Sequence, residues 1–178
     1  MTPYPGAASD ADAVTTWILE LSAKGIFPTD DTIAQGCRAV LGAKSEAEAA
    51  QVGAKLTAQI SDEIGDASAS AVGAAARRWF GDALSTELGE GTREDRAHRL
   101  RGWSFRGGAP WLGQVWLRDE AGEVRGRWLI VDRVLDAAHT LDPNPWDDVD
   151  EHFDIPVDDF LVLWELSGAT SFAVTRAA

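Results

Sequence analysis

The sequence predicts an α+β fold: an N-terminal four-helix, bundle-like region followed by a small antiparallel β-sheet built from hairpins. Three observations predict it. Apolar residues recur every three or four positions through residues 1–90, the period of a helix with one buried face. From Trp103 onward, aromatic and β-branched residues gather in short runs divided by turn signals, as strands require. Between the two, Leu88-Gly89-Glu90-Gly91 sets two glycines amid charge, which marks a boundary. The expected division is a helical region over 1–90 and a β region over 91–178, either as separate units or around one shared core. A chain of 178 residues, 45% hydrophobic and 25% charged, has an ordinary globular balance and length enough to bury a core without a disulfide or metal.

The first helix is expected from Asp10 to Lys24, with Val14, Trp17, Ile18 and Leu21 as its apolar face. Gly25 suits the left-handed position after it, and Ile26 can fold back over the last turn. Thr29 is the expected N-cap of a second helix reaching Leu41, with Asp30 and Asp31 at its positive start and Ile33, Cys37, Val40 and Leu41 as its stripe. Ser45 and Glu48 have capping-box spacing, opening a helix with Val52, Leu56 and Ile60 that extends towards Ile64. Asp66 or Ser68 begins a fourth, facing inward through Val72, Ala76, Trp79, Phe80 and Leu84. Short loops between successive helices favour antiparallel packing.

In the second half, a basic run of Arg93, Arg96, Arg99, Arg101 and Arg106 includes a short helix ahead of the first strand. Trp111 to Arg118 and Val124 to Val134 are expected to form a hairpin, with Gly122 in the left-handed position of the turn. Alternation sends Arg125, Arg127 and Leu129 one way, and Val124, Gly126 and Trp128 the other. The continuous apolar run Leu129-Ile130-Val131 fits a strand covered on both faces. A long acidic loop is expected over 136–156. Phe160 to Leu166 reads as a strand paired through Ser167-Gly168-Ala169 with a last strand over Thr170 to Arg176. Val157, Phe160, Leu161 and Trp164 also match helical spacing, but clustered β-branched and aromatic residues favour the strand.

Composition narrows the function classes. The formal net charge is -13, from 29 acidic and 16 basic residues, which opposes binding to nucleic-acid phosphates or to an anionic membrane. The charged partner it favours is another protein with a basic surface. Residues 1–10 hold no basic residue and no apolar core, so no secretory signal is expected, and no apolar run reaches membrane-spanning length. The single cysteine, Cys37, cannot form an internal disulfide and reads as a small buried hydrophobe in a cytoplasmic protein. Thirteen arginines against three lysines reflect a GC-rich coding bias of the kind common in bacteria.

The most distinctive segment holds Asp142, Asp147, Asp148, Asp150, Glu151, His152, Asp154, Asp158 and Asp159, with no lysine or arginine between Arg133 and Arg176. Carboxylates with one imidazole are a candidate ligand set for a divalent cation, but His152 stands where a calcium loop from Asp147 needs glycine. His98, His139 and His152 lie too far apart for a local zinc motif. His139 with Asp136 or Asp142 would make a base and its orienting carboxylate, yet no nucleophile-elbow motif completes it. Arg106-Gly107-Gly108 lacks the lysine and spacing of a phosphate loop. No cofactor is therefore expected. Six of the eight tryptophans fall from Trp103 onward, and Trp146 sits among prolines and acids, the composition of a protein-binding hot spot. The expected function is a non-catalytic accessory or assembly component that binds a partner through Trp146, Asp147, Asp148, Asp150, Glu151 and Asp154. The alternatives are a metal-assisted hydrolase using His139, His152, Asp150 or Asp154, and an acidic mimic of nucleic acid.

Overall fold

The computed structural model describes residues 6–85, 92–105, 109–118, 122, 124–142, 152–166 and 171–174. The chain divides into two compact units, Met1–Leu84 and Ser85–Ala178. The architecture is α+β: four helices and then an antiparallel sheet. Among the described residues, no helix is long and apolar enough to cross a membrane.

The first unit contains α1 (Gly6–Ala23), α2 (Asp31–Leu41), α3 (Glu46–Ile64) and α4 (Ala69–Phe80), followed by a single 3₁₀ turn, Gly81–Ala83. Local chemistry ends each helix. After α1, Gly25 takes φ +85°, and the Ile26 N–H donates back to the Leu21 carbonyl at 2.9 Å, closing a left-handed cap. The N-cap of α2 is Asp30, one residue later than expected. Its carboxylate accepts from the Ile33 N–H at 3.0 Å. Thr29 is drawn away, because its N–H donates to the Trp79 carbonyl (2.7 Å) and its hydroxyl to that of Arg78 (3.1 Å). Ser45 caps α3 by accepting from Glu48 N–H, while the Glu48 carboxylate accepts from Lys44 N–H. Ser68 caps α4 in the same way through Ala71 N–H. Leu84, expected on the face of α4, lies beyond the helix end.

Burial in this unit follows most of the expected stripes, but Leu41, the last residue of α2 and expected on its buried face, is 46% exposed. Val14, Trp17, Ile18, Leu21, Ile33, Leu56, Ile60, Ile64, Val72 and Trp79 are all buried. Trp17 and Phe80 meet edge to face at 5.5 Å between ring centroids. The indole N–H of Trp79 donates to Glu63 at 2.7 Å, so Glu63 is tied to the core. Gly36 permits close approach of α2 and α3, since a Cβ there would stand 2.7 Å from Leu56 Cδ1. Cys37 is a free, buried thiol, and burial pushes its pKa up, partly opposed by the Ser22 hydroxyl.

The second unit begins in β1 (Leu84–Ser85), followed by α5 (Arg93–Phe105), β2 (Trp111–Arg118), β3 (Val124–Val134), β4 (Ala137–Leu141), β5 (His152–Pro156), α6 (Val157–Leu166) and β6 (Ser171–Val174). The sheet order is β1-β6-β2-β3-β4-β5. The β2–β3 hairpin has the expected bounds, with Trp111 opposite Val131 and Arg118 opposite Val124, and Gly122 at φ +81° in the connection. Leu129, Ile130 and Val131 are all buried, as a strand covered on both faces requires.

Four expectations are corrected here. The stretch 136–156 is not one loop, because β4 and β5 occupy its two ends. Alternating burial in Ala137–Leu141 is a strand signal that the neighbouring acids obscured. Residues 157–166 form helix α6 instead of a strand. Val157, Phe160, Leu161 and Trp164 bury one face, Asp158 and Asp159 occupy the positive first turn, and Val162 is 41% exposed. The last strand pairs with β2, not with residues 160–166: Leu112 lies opposite Phe172 and Gly113 opposite Ser171. Finally, the backbone of Trp103–Phe105 belongs to α5, so after this helix the β pattern resumes at Trp111, and a short strand, β1, already precedes the helix.

A reciprocal cap opens α5. Thr92 N–H donates to the Asp95 carboxylate (2.9 Å), and Asp95 N–H donates to the Thr92 hydroxyl (3.2 Å). The backbone donor of Thr92, and then its hydroxyl, hold the Asp95 carboxyl below its ordinary value. A group whose folded pKa is depressed contributes stability that is present above the unfolded carboxylate value and lost as pH falls through the folded one. The wild type should therefore melt above Asp95→Ala near neutrality. Thermal melts taken into acid should show that gap closing, and a pH-independent gap would contradict the ionic cap.

Candidate functional site

One face of the sheet of the second unit carries Trp111, Val115, Leu129, Val131 and Ala138 against α5 and α6. These form a buried cluster with Leu100, Phe160, Leu161 and Trp164. Trp111 meets Phe160 edge to face at 5.9 Å, and Trp164 Nε1 donates to the Ser171 hydroxyl at 2.6 Å. Arg93 and Arg96 both reach Glu165, at 3.3 and 2.7 Å, tying α5 to α6. Part of the basic run thus serves to join two helices.

Arg127 points to the same face. It lies opposite Val115 in the β2–β3 register and is followed two residues on by buried Leu129. Its guanidinium Nε donates to Asp142 Oδ2, and the two side chains are only 2% and 5% exposed. Asp142 was expected within the long acidic loop over 136–156. It is instead the residue directly after β4, buried and neutralised by Arg127. A buried carboxylate demands such a partner, because taking an isolated charge out of water costs several kcal/mol, ~5 or more. The signal available in the sequence was an arginine in alternation with core residues.

The opposite face presents polar and aromatic groups among buried Leu112, Trp128, Ile130 and Phe172. Trp128 and Phe172 stack at 5.6 Å. Trp116 lies opposite Gly126 and is 39% exposed. Gly126 leaves room for the side chains of Gln114 and Trp116, which approach its would-be Cβ at 2.9 and 3.1 Å. Trp116 is an exposed aromatic that sequence reasoning did not single out.

Nearer the sheet edge, His139 lies opposite Asp154 and its Nδ1 is paired with Asp154 Oδ1. The carboxylate that orients His139 is thus Asp154, across the strand, and not Asp136 or Asp142, which are closer in sequence. With Nδ1 engaged, Nε2 is the nitrogen left for proton exchange or ligation. His152 stands exposed two positions from Asp154 on the same strand. Among the described residues, no group of three or more histidine, cysteine or acidic side chains is placed to hold a metal ion.

Of the candidate partner-binding residues, Asp154 is described and exposed. Trp146, Asp147, Asp148, Asp150 and Glu151 lie outside the described residues. What is placed is both ends of the segment they occupy: Leu141 at the end of β4 sits directly opposite His152 at the start of β5. No protein-family model matches the chain, and neither the curated proteins nor the solved structures offer a match.

Proposed function

We propose that the protein is a non-catalytic protein-binding accessory or assembly component, which engages a basic surface on another protein through the acidic, tryptophan-bearing segment between β4 and β5. The observation that supports this most is the buried Arg127–Asp142 pair at the root of that segment. A buried ion pair adds little net stability over well-packed apolar side chains, but it holds one arrangement against others. Here it fixes the point where the chain leaves the sheet, while the opposition of Leu141 and His152 fixes its return. Between and beside these points the sequence supplies Trp146 as an aromatic anchor and Asp147, Asp148, Asp150, Glu151 and Asp154 as charge, uninterrupted by any lysine or arginine. A reducing cytoplasmic setting suits the single buried thiol.

The test is affinity capture from the native host by the full chain and by a variant carrying Trp146→Ala, Asp147→Asn and Asp148→Asn. A specific partner should be retained by the wild type, lost by the variant, and released by salt as electrostatic steering is screened. Circular dichroism should show both chains folded alike. Retention of every partner by the folded variant would remove the proposal.

A further inference from the structure

Among the described residues β5 is the outermost strand on its side of the sheet, and the phase of its pairing determines which backbone groups are turned away from β4. Val157 N–H donates to the Asp136 carbonyl at 3.0 Å. These two residues continue the β4–β5 register, in which Ala137 lies opposite Pro156 and Ala138 opposite Ile155. In an antiparallel ladder, hydrogen-bonded and non-hydrogen-bonded pairs alternate. Ile155 and Phe153 therefore turn their backbone groups inward to β4. His152, Asp154 and Pro156 turn theirs outward. Asp154 thus falls in a close, non-hydrogen-bonded pair with His139, which brings the two side chains together as observed.

Among the described residues, no strand lies beyond β5. Its outer edge presents the N–H and C=O of His152 and Asp154 and the C=O of Pro156, which has no N–H to offer. Natural sheets protect such edges with charge and proline. This edge carries one proline at its end and, among the described residues, a concentration of exposed acids: Asp154 on the strand, Asp136 opposite its end, and Asp158 and Asp159 in the first turn of α6, with Arg101 at the Leu135 carbonyl and Arg133 opposite His139 on the neighbouring elements. Pairing two copies edge to edge would bring like charges together on chains that each carry a formal -13.

We infer that the outer edge of β5 receives an extended, basic segment of a partner protein, which adds to the sheet as a further strand. Backbone hydrogen bonds to His152 and Asp154 give register, and alternate lysine or arginine side chains meet Asp154 on its face of the strand, while Asp136, Asp158 and Asp159 add to the negative field on the helix-covered side. This deepens the proposed function by naming the mode of capture at the edge where the acidic segment returns to the sheet.

The test uses the full, ¹⁵N-labelled chain and a capped probe peptide of alternating lysine and valine. A second peptide of identical charge is N-methylated at every other residue, so that its edge facing β5 has no N–H. The first peptide should slow amide hydrogen exchange at His152 and Asp154 and bind roughly tenfold or more tightly than the methylated one, in whichever of the two methylation registers faces the strand. Equal affinities, or binding without protection at His152 and Asp154, would overturn strand addition and leave a purely electrostatic acidic surface, with the Trp146 capture result standing separately. Absence of binding by either peptide would overturn it too. So would a dimer of the chain alone, detected by light scattering, that Asp154→Lys strengthens or Asp154→Pro abolishes, since the occupant would then be a second copy.

Discussion

Arg127→Met should destabilise the second unit by about 3–5 kcal/mol, because it leaves Asp142 as a buried charge with its main counter-charge removed. Asp142→Leu should cost a similar amount for the opposite reason, stranding a guanidinium that is 2% exposed. The double variant, Arg127→Met with Asp142→Leu, should recover most of that loss, since two apolar side chains can fill the site without the desolvation penalty. Urea denaturation of the four chains gives the cycle directly. Both residues make further interactions, so the coupling will not be purely pairwise. Two single variants near wild-type stability would mean that water reaches the pair and that its burial is not what holds it.

The double variant also separates stability from function. If the pair exists to fix the root of the β4–β5 segment, a stable double variant should still lose partner capture. The cost would then appear in binding and not in folding. A stable double variant with full capture would reduce the pair to a core feature and remove the main support for the proposed function.

What could be read from the sequence was what neighbouring residues decide. Ser45 and Ser68 were readable as caps because the groups they satisfy lie three residues away, and the hairpin from Trp111 to Val134 was readable because its turn is short and its flanks alternate. What could not be read depends on distant partners. Phe160, Leu161 and Trp164 fit either a strand or a helix by composition. The helix is selected by an apolar sheet face built from residues thirty to fifty positions earlier, roughly, which no local window contains. Asp142 looked like one more acid of the loop, since its distinction is the arginine fifteen residues before it. The pairing of His139 with Asp154 was hidden in the same way: the right carboxylate depends on strand register, which the acid-rich interval between them concealed.

Trp164→Ala should be the most damaging single change in the helix-covered face of the sheet, at about 3–5 kcal/mol. The ring is 1% exposed on α6, within the cluster that holds Val115, Leu129 and Phe160, so truncation leaves a cavity on the sheet. The same change withdraws the indole donor from Ser171, whose hydroxyl is buried on β6. Trp164→Phe keeps most of the apolar volume but loses the hydrogen bond, and should cost less, about 1–3 kcal/mol. Ser171→Ala isolates the bond from the other side. Removing the hydroxyl acceptor should cost the same order as Trp164→Phe. Hydrogen exchange should then show β6 and the Leu112–Gly113 region of β2, which pairs with it, losing protection before the β2–β3 hairpin does. The effect should also reach the proposed contact edge. Helix α6 starts at Val157, whose N–H donates to the carbonyl of Asp136, the residue before β4, so loosening α6 removes the last fixed pair beyond the edge strand. A Trp164→Ala chain that keeps slow exchange at Val157 while losing it at β6 would show that the edge strand is held by β4 alone, independently of the helix that follows it.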